Sequence, residues 1–226
     1  MNYEEILEKL ESLKNPKNID GMARFGIRPK VKVFGISIPE VRKIGKEIGR
    51  DHELALRLFD SEIHEARILA SIVAEPEKLT EQQIEKWIKT FDSWDVVDQI
   101  CMNIFDKSKI AVKKIPEFAK RSPEFEKRVA FALIAALASH NKKTSDEDFI
   151  KYFLLIKKAA TDERNFVKKA VNWALRGIGK RNLKLNKEAV KFAREIQKIE
   201  SKSAKWIAND AIRELTNIKT LKRIKK

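Results

Sequence analysis

Apolar residues recur every three to four positions along almost the whole chain, the spacing of one buried face on an α-helix. This pattern predicts helices over 3–14, 17–25, 38–49, 51–60, 62–74, 80–91, 94–106, 108–120, 123–139, 146–160, 163–180, 186–198, 201–216 and 218–225. Start signals support several of them. Ser37-Ile38-Pro39, Thr80 before Glu81, Ser93 before Trp94, Ser122-Pro123 and Thr161-Asp162 offer capping side chains or a proline in the first turn. Only GIRPKVKVFGI, residues 26–36, alternates as a strand would, and it reads as an ordered loop. Seven Gly and six Pro in 226 residues leave few places for the turns that a β-rich fold needs.

Helices of this length with short links pair as antiparallel hairpins. From residue 51 the pairs recur at roughly forty residues, the range of HEAT-type repeats. The expected fold is therefore all-α, an α-solenoid of HEAT-like antiparallel helix pairs; a compact helical bundle is the alternative. From Val129 the helix FEKRVAFALIAALASH is apolar on nearly every side, so it is expected to be central. No linker or low-complexity stretch divides the chain, and residues 1–226 read as one domain.

Composition narrows the function. Lys plus Arg number 48 against 33 Asp plus Glu, a formal net charge of +15, which points to a polyanionic partner. The single Cys101 excludes an internal disulfide framework and a thiolate zinc cluster, and three scattered histidines, His52, His64 and His140, argue against a His-based metal site. The longest uncharged apolar run, Val129 to Ala138, is too short to span a bilayer. The acidic start MNYEEILEKLE does not resemble a secretory signal. The expectation is a soluble, cytoplasmic protein without metal or cofactor.

The four tryptophans separate on a helical wheel. Trp87 shares a stripe with Ile84, Ile88 and Phe91 and belongs to the core. Trp173 lies off its helix's apolar stripe, among Lys169, Arg176 and Lys180. Trp206 repeats the arrangement with Lys202, Lys205, Asn209 and Arg213. Such faces suit a cation–π surface patch, a contact to the next repeat, or a groove in which cations meet phosphates and rings meet sugars or bases. Trp94 opens the helix WDVVDQICMNIFD, and Asp98 follows it by one turn. The helix N-terminus favours the ionised form of such an acid. Asp92 and Asp95 read as capping and dipole residues. Arg128 begins the most apolar helix, where its head reaches either a neighbouring carboxylate or a phosphate.

The chain contains no phosphate-cradling loop and no Gly-x-Ser-x-Gly elbow. Any catalysis would rest on one carboxylate and a shaped cationic surface.

The segments FDSWDVVDQ, EKRVAFALIAALA, FVKKAVNWALRGIGKRN and SAKWIANDAIRELT, in this order, resemble the AlkD-like DNA alkylation repair glycosylases, as do FGISIPEVRKIGKEI and EIHEARILAS upstream. The resemblance implies a HEAT-like solenoid with a concave, basic DNA-binding face. It implies monofunctional, metal-free hydrolysis of the N-glycosidic bond of N3- and N7-alkylated purines in double-stranded DNA, by a monomer that does not enclose the base in a pocket. Carried over by residue, the catalytic acid falls on Asp98 and the sugar-packing tryptophans on Trp94 and Trp173. The DNA-contacting arginines fall on Arg128 and Arg176. Lys169, Lys180, Lys205, Trp206 and Arg213 extend the expected DNA surface. A family tyrosine falls near Phe25, which lacks the hydroxyl. Two other readings stay open: a non-catalytic HEAT-like protein for damaged or branched DNA, and a solenoid whose basic face meets an acidic protein.

Overall fold

A computed structural model describes residues 1–224 as fifteen α-helices. They are α1 (Tyr3–Ser12), α2 (Pro16–Arg24), α3 (Ile38–Ile48), α4 (His52–Asp60), α5 (His64–Val73), α6 (Glu81–Lys89), α7 (Trp94–Asn103), α8 (Lys109–Lys113), α9 (Ile115–Phe118), α10 (Glu124–His140), α11 (Asp146–Ala159), α12 (Asn165–Gly179), α13 (Leu183–Gln197), α14 (Lys202–Leu215) and α15 (Ile218–Ile224). The all-α expectation holds: among the described residues the only β pairing is an isolated bridge between Lys32 and Ile63.

The ends of several helices differ from the sequence reading, each for a local reason. Pro116 sits at the start of α9 and cannot donate a backbone hydrogen bond, so the single helix expected over 108–120 is split at Lys114. The Asn182 side chain accepts from the Leu185 amide and starts α13 at Leu183, three residues earlier than expected. Thr161-Asp162 does not cap α12, because Asp162 accepts from Arg164 and Lys127 and the helix begins at Asn165. Thr80 closes a capping box with Gln83, whereas Ser37 and Ser93 make no side-chain cap bond.

The contacts divide the chain into two compact units, Met1–Val112 and the residues from Lys113 onward, with the boundary inside α8. In the first unit α4 packs on α5, and α3, α5 and α7 form a consecutive row. In the second, α10, α12 and α14 form such a row, α11 and α13 lie beside it, and α13 packs on α14. Each row stacks the second helices of successive pairs, as HEAT-like repeats do. The pairs begin at His52, Glu81, Lys109, Asp146 and Leu183, so the first intervals are well short of forty residues.

Burial follows the apolar stripes. Every residue of α10 from Arg128 to Ala138 is buried, as its unbroken apolar run requires. Trp87 is 1% exposed and stacks on Phe59 at 4.3 Å between ring centroids. Gly179 lets α12 approach α13, since a Cβ there would stand 2.9 Å from Ala189 Cβ.

The 26–36 segment is an ordered loop because one buried acid organises it. Glu65, 1% exposed at the start of α5, accepts the amides of Phe34 at 3.0 Å, Gly35 at 2.6 Å and Ile36 at 3.2 Å. Three backbone donors satisfy a charge that burial would otherwise penalise. Gly35 has φ +74°, and a Cβ there would come within 2.4 Å of the Asn15 carbonyl oxygen, so the loop requires glycine at this point.

Candidate nucleic-acid interface

In the first unit the candidate residues belong to α7. The face carrying Val96, Val97, Ile100 and Cys101 is buried. Trp94 and Asp98, one turn apart at the edge of that face, are both half-buried. The Trp94 ring has a fixed anchor: its Nε1 donates to the Phe25 carbonyl at 3.1 Å. Phe25 follows α2, and its own ring is 73% exposed. At the position where a family hydroxyl was expected, the backbone carbonyl holds the tryptophan while the phenyl ring faces solvent.

The N-terminus of α7 is held from below by α5. His64, 1% exposed, bonds through Nε2 to Asp95 Oδ2 at 2.8 Å. The Ser93 hydroxyl donates to the other oxygen of Asp95 rather than capping the helix. Asp92 accepts the Lys30 amide at 2.7 Å and faces Arg67. Asp92 and Asp95 are therefore tied to the loop and to α5, a role beyond the capping expected of them. Burial alone would lower the His64 pKa, but the hydrogen bond and charge of Asp95, with Glu65 and Asp92 nearby, leave it raised. Burial pushes Asp95 up, and its bonds to His64 and Ser93 bring it down on balance. A raised histidine stabilises the fold fully below its unfolded value, and that contribution is lost as pH rises through the folded one. A depressed carboxylate contributes above its unfolded value and loses its effect as pH falls through the folded one. The pair thus acts between the lowered Asp95 value and the raised His64 value. His64→Gln is expected to cost about 2 kcal/mol at pH 6, with a smaller difference from wild type at pH 9, measured as urea midpoints.

In the second unit the candidates lie on the α10, α12 and α14 row. Arg128 is 5% exposed, and its Nη1 donates to the Phe166 carbonyl at 2.5 Å. Glu124 Oε1 accepts the Phe166 amide at 3.0 Å, so α10 grips both polar groups of one residue at the start of α12. The Arg128 head therefore has a structural partner in the backbone at the start of α12.

Trp173 is half-buried and lines a polar cavity of about 290 Å³ with Ser139, Lys142, Lys180, Arg181 and Asn182. The α12–α14 face is less cationic than the wheel implied. Arg176 pairs with Glu214 and has Asp210 at 3.5 Å; Lys180 pairs with Glu214 at 2.8 Å; Arg213 pairs with Asp210. Burial raises Glu214, yet the Lys180 bond and the Arg176 and Lys180 charges hold it below the ordinary carboxylate range. Asp210 is one turn beyond Trp206 and Glu214 one turn further, so both were legible on the wheel that selected the cations. Lys169 and Lys205 are exposed, and Trp206, 40% exposed, has Lys168 Nζ 5.3 Å from its ring centroid. The face is a ladder of ion pairs flanked by these exposed groups. Among the described residues no cluster of His, Cys, Asp and Glu could hold a metal, and no helix is long and apolar enough to cross a membrane.

A solved structure described as "a new family of proteins related to the HEAT-like repeat DNA glycosylases with affinity for branched DNA structures" superposes on 94% of this chain and 95% of its own, with a TM-score of 0.78 and 19% identity. That likeness establishes the HEAT-like fold. Two curated relatives, the uncharacterized proteins Lmo0209 of Listeria monocytogenes and Lin0241 of Listeria innocua, are each 28% identical over 97 residues, covering 42% of this chain. The chain spans 43% of the length of each. The family described as DNA alkylation repair enzyme matches residues 6–215, which include both helix rows and the candidate residues on them. With nearly its whole length matched, this chain belongs to the DNA alkylation repair enzyme family.

Proposed function

We propose that the protein is a DNA glycosylase that hydrolyses the N-glycosidic bond of cationic N3- and N7-alkylated purines, acting as a monomer on duplex DNA in the cytoplasm, without metal or cofactor. The observation that carries this reading is the pairing of Trp94 with Asp98 on one edge of α7, with the indole anchored at 3.1 Å to the Phe25 carbonyl. An alkylated N3 or N7 makes the purine a good leaving group, so the enzyme need supply little acid catalysis. What develops as the bond breaks is positive charge on the deoxyribose. An ionised Asp98 stabilises it electrostatically and orients the attacking water. An indole face beside the sugar adds about 0.5–2 kcal/mol through its quadrupole. Trp94 takes that part on α7; Trp173, half-buried on α12, is a second indole of the kind that packs against a sugar. The exposed Lys169, Lys205 and Trp206 lead the backbone-contacting set; Arg176, Lys180 and Arg213 join it on leaving their ion pairs, and Arg128 on leaving the Phe166 carbonyl.

The proposal predicts selectivity by lesion charge. Under single-turnover conditions, duplexes carrying N7-methylguanine should release free base, and duplexes carrying neutral hypoxanthine should not. Equal release from both would remove the electrostatic mechanism.

A second reading is favoured by the exposed Lys169, Lys205 and Trp206, a surface able to hold DNA without chemistry. It is a non-catalytic protein for damaged or branched DNA, as the affinity of the structural relative suggests. Under either reading Glu214 restrains the cations. Glu214→Gln is expected to change stability by only about 0.5 kcal/mol, because these pairs are partly exposed. Duplex affinity should rise, and the plot of log K against log salt should steepen by about 0.9 per phosphate gained. Fluorescence anisotropy across a salt series measures both.

A further inference from the structure

A second cationic feature lies outside the α12–α14 face. Lys187, Lys191, Arg194 and Lys198 project from one stripe of α13 at successive steps of four, three and four residues. They span about 16 Å along the helix at 1.5 Å per residue. All four are exposed, and none has an ion pair among the described residues. Several other cations of this unit are neutralised: Lys127 and Arg164 by Asp162, Lys184 by Glu147, and Lys180 by Glu214. Like charges one helical turn apart repel, and Glu188 and Glu195, one turn from Lys191, offset only part of this, so the α13 stripe stays net positive.

Beside the stripe lies a groove of about 570 Å³ lined by residues of α13, the end of α14 and α15. Val190 and Leu221 give it apolar walls over the buried Leu215, the four cations line it, and Glu195 is the single acid among its lining residues. We propose that this groove docks an acidic amphipathic helix of a partner protein, with apolar side chains between α13 and α15 and acids along the Lys187–Lys198 stripe. A nucleic-acid strand could satisfy the cations, but it would leave the apolar walls without a partner, and no aromatic ring lines the groove for base stacking. An amphipathic helix satisfies both, because its acids can repeat at the same turn-by-turn spacing as the cations. The inference is independent of the glycosylase reading.

The test is fluorescence anisotropy with a labelled helical peptide bearing one Leu stripe flanked by Glu. A scrambled peptide of the same composition and an unmodified DNA duplex serve as the other two probes. The expected result is micromolar binding of the amphipathic peptide, with the scrambled peptide about tenfold weaker. Lys191→Glu/Arg194→Glu should weaken peptide binding at least tenfold while leaving the thermal midpoint and duplex affinity unchanged. If the charge reversal perturbs folding, Lys191→Gln/Arg194→Gln provides the same comparison with a smaller expected loss. Equal binding of the two peptides, no peptide binding, or no loss in the variants would overturn the proposal. A parallel loss of duplex affinity would overturn it in favour of a nucleic-acid surface.

Discussion

Asn in place of Asp98 is expected to slow release of an N7-alkylated purine by about a hundredfold to a thousandfold, roughly 3–4 kcal/mol of transition-state stabilisation. Duplex affinity should change by less than about threefold, since phosphate contacts supply most of the binding energy. The substitution preserves size and planarity and removes only the charge. Asp98 is half-buried on the flank of α7, while the packing of that helix rests on Val96, Val97, Ile100 and Cys101, so the fold should survive the change. The leaving purine is already cationic and gains little from a protonated acid. The cost therefore falls on the developing charge of the sugar and on positioning of water. A variant that cleaved at the wild-type rate would exclude Asp98 as the electrostatic catalyst. A variant that lost duplex affinity as steeply as rate would make Asp98 a binding residue.

Glu65→Gln is expected to destabilise the protein by about 4 kcal/mol, since hydrogen bonds to a buried charged group contribute about 1.5–3 kcal/mol each. The wild-type carboxylate accepts the amides of Phe34, Gly35 and Ile36 with both oxygens, at 1% exposure. Glutamine retains one acceptor oxygen and turns its amide nitrogen toward a donor. The effect should extend beyond stability, because the same loop is fastened to the start of α7. The Lys30 amide donates to Asp92 at 2.7 Å, and the Phe25 carbonyl receives Trp94 Nε1 at 3.1 Å. Urea midpoints give the stability change, and hydrogen exchange of the Phe34–Ile36 amides reports the loosened loop. Wild-type exchange in the variant would show that Glu65 does not organise the segment.

Much of the fold could be read along the chain because its signals are local. The continuous apolar run of 129–138 marks the buried helix α10, and the i, i+3, i+4 stripes place Trp87 inside. The links less legible are those between residues distant in sequence. His64 and Glu65 look like surface polar residues at a helix start, yet one holds Asp95 and the other holds the loop at 34–36. No periodicity reveals a partner about thirty residues away. The Trp94 anchor was hidden for another reason: Phe25 serves through its carbonyl, a group every residue type has. Asp210 and Glu214 were visible in principle. They occupy the two turns after Trp206 on the same face, where they pair with Arg213 and Arg176. Arg128 shows that a basic residue beginning an apolar helix can be taken up by a backbone carbonyl, here that of Phe166.

The most direct test of the central claim is chromatographic detection of free base after wild-type protein is mixed in excess with duplex DNA containing N7-methylguanine, with duplex binding measured in the same samples. The account predicts release of free N7-methylguanine, leaving an abasic site in an intact strand. Tight, salt-sensitive binding with no free base would contradict it, leaving the Trp94–Asp98 edge of α7 a recognition surface.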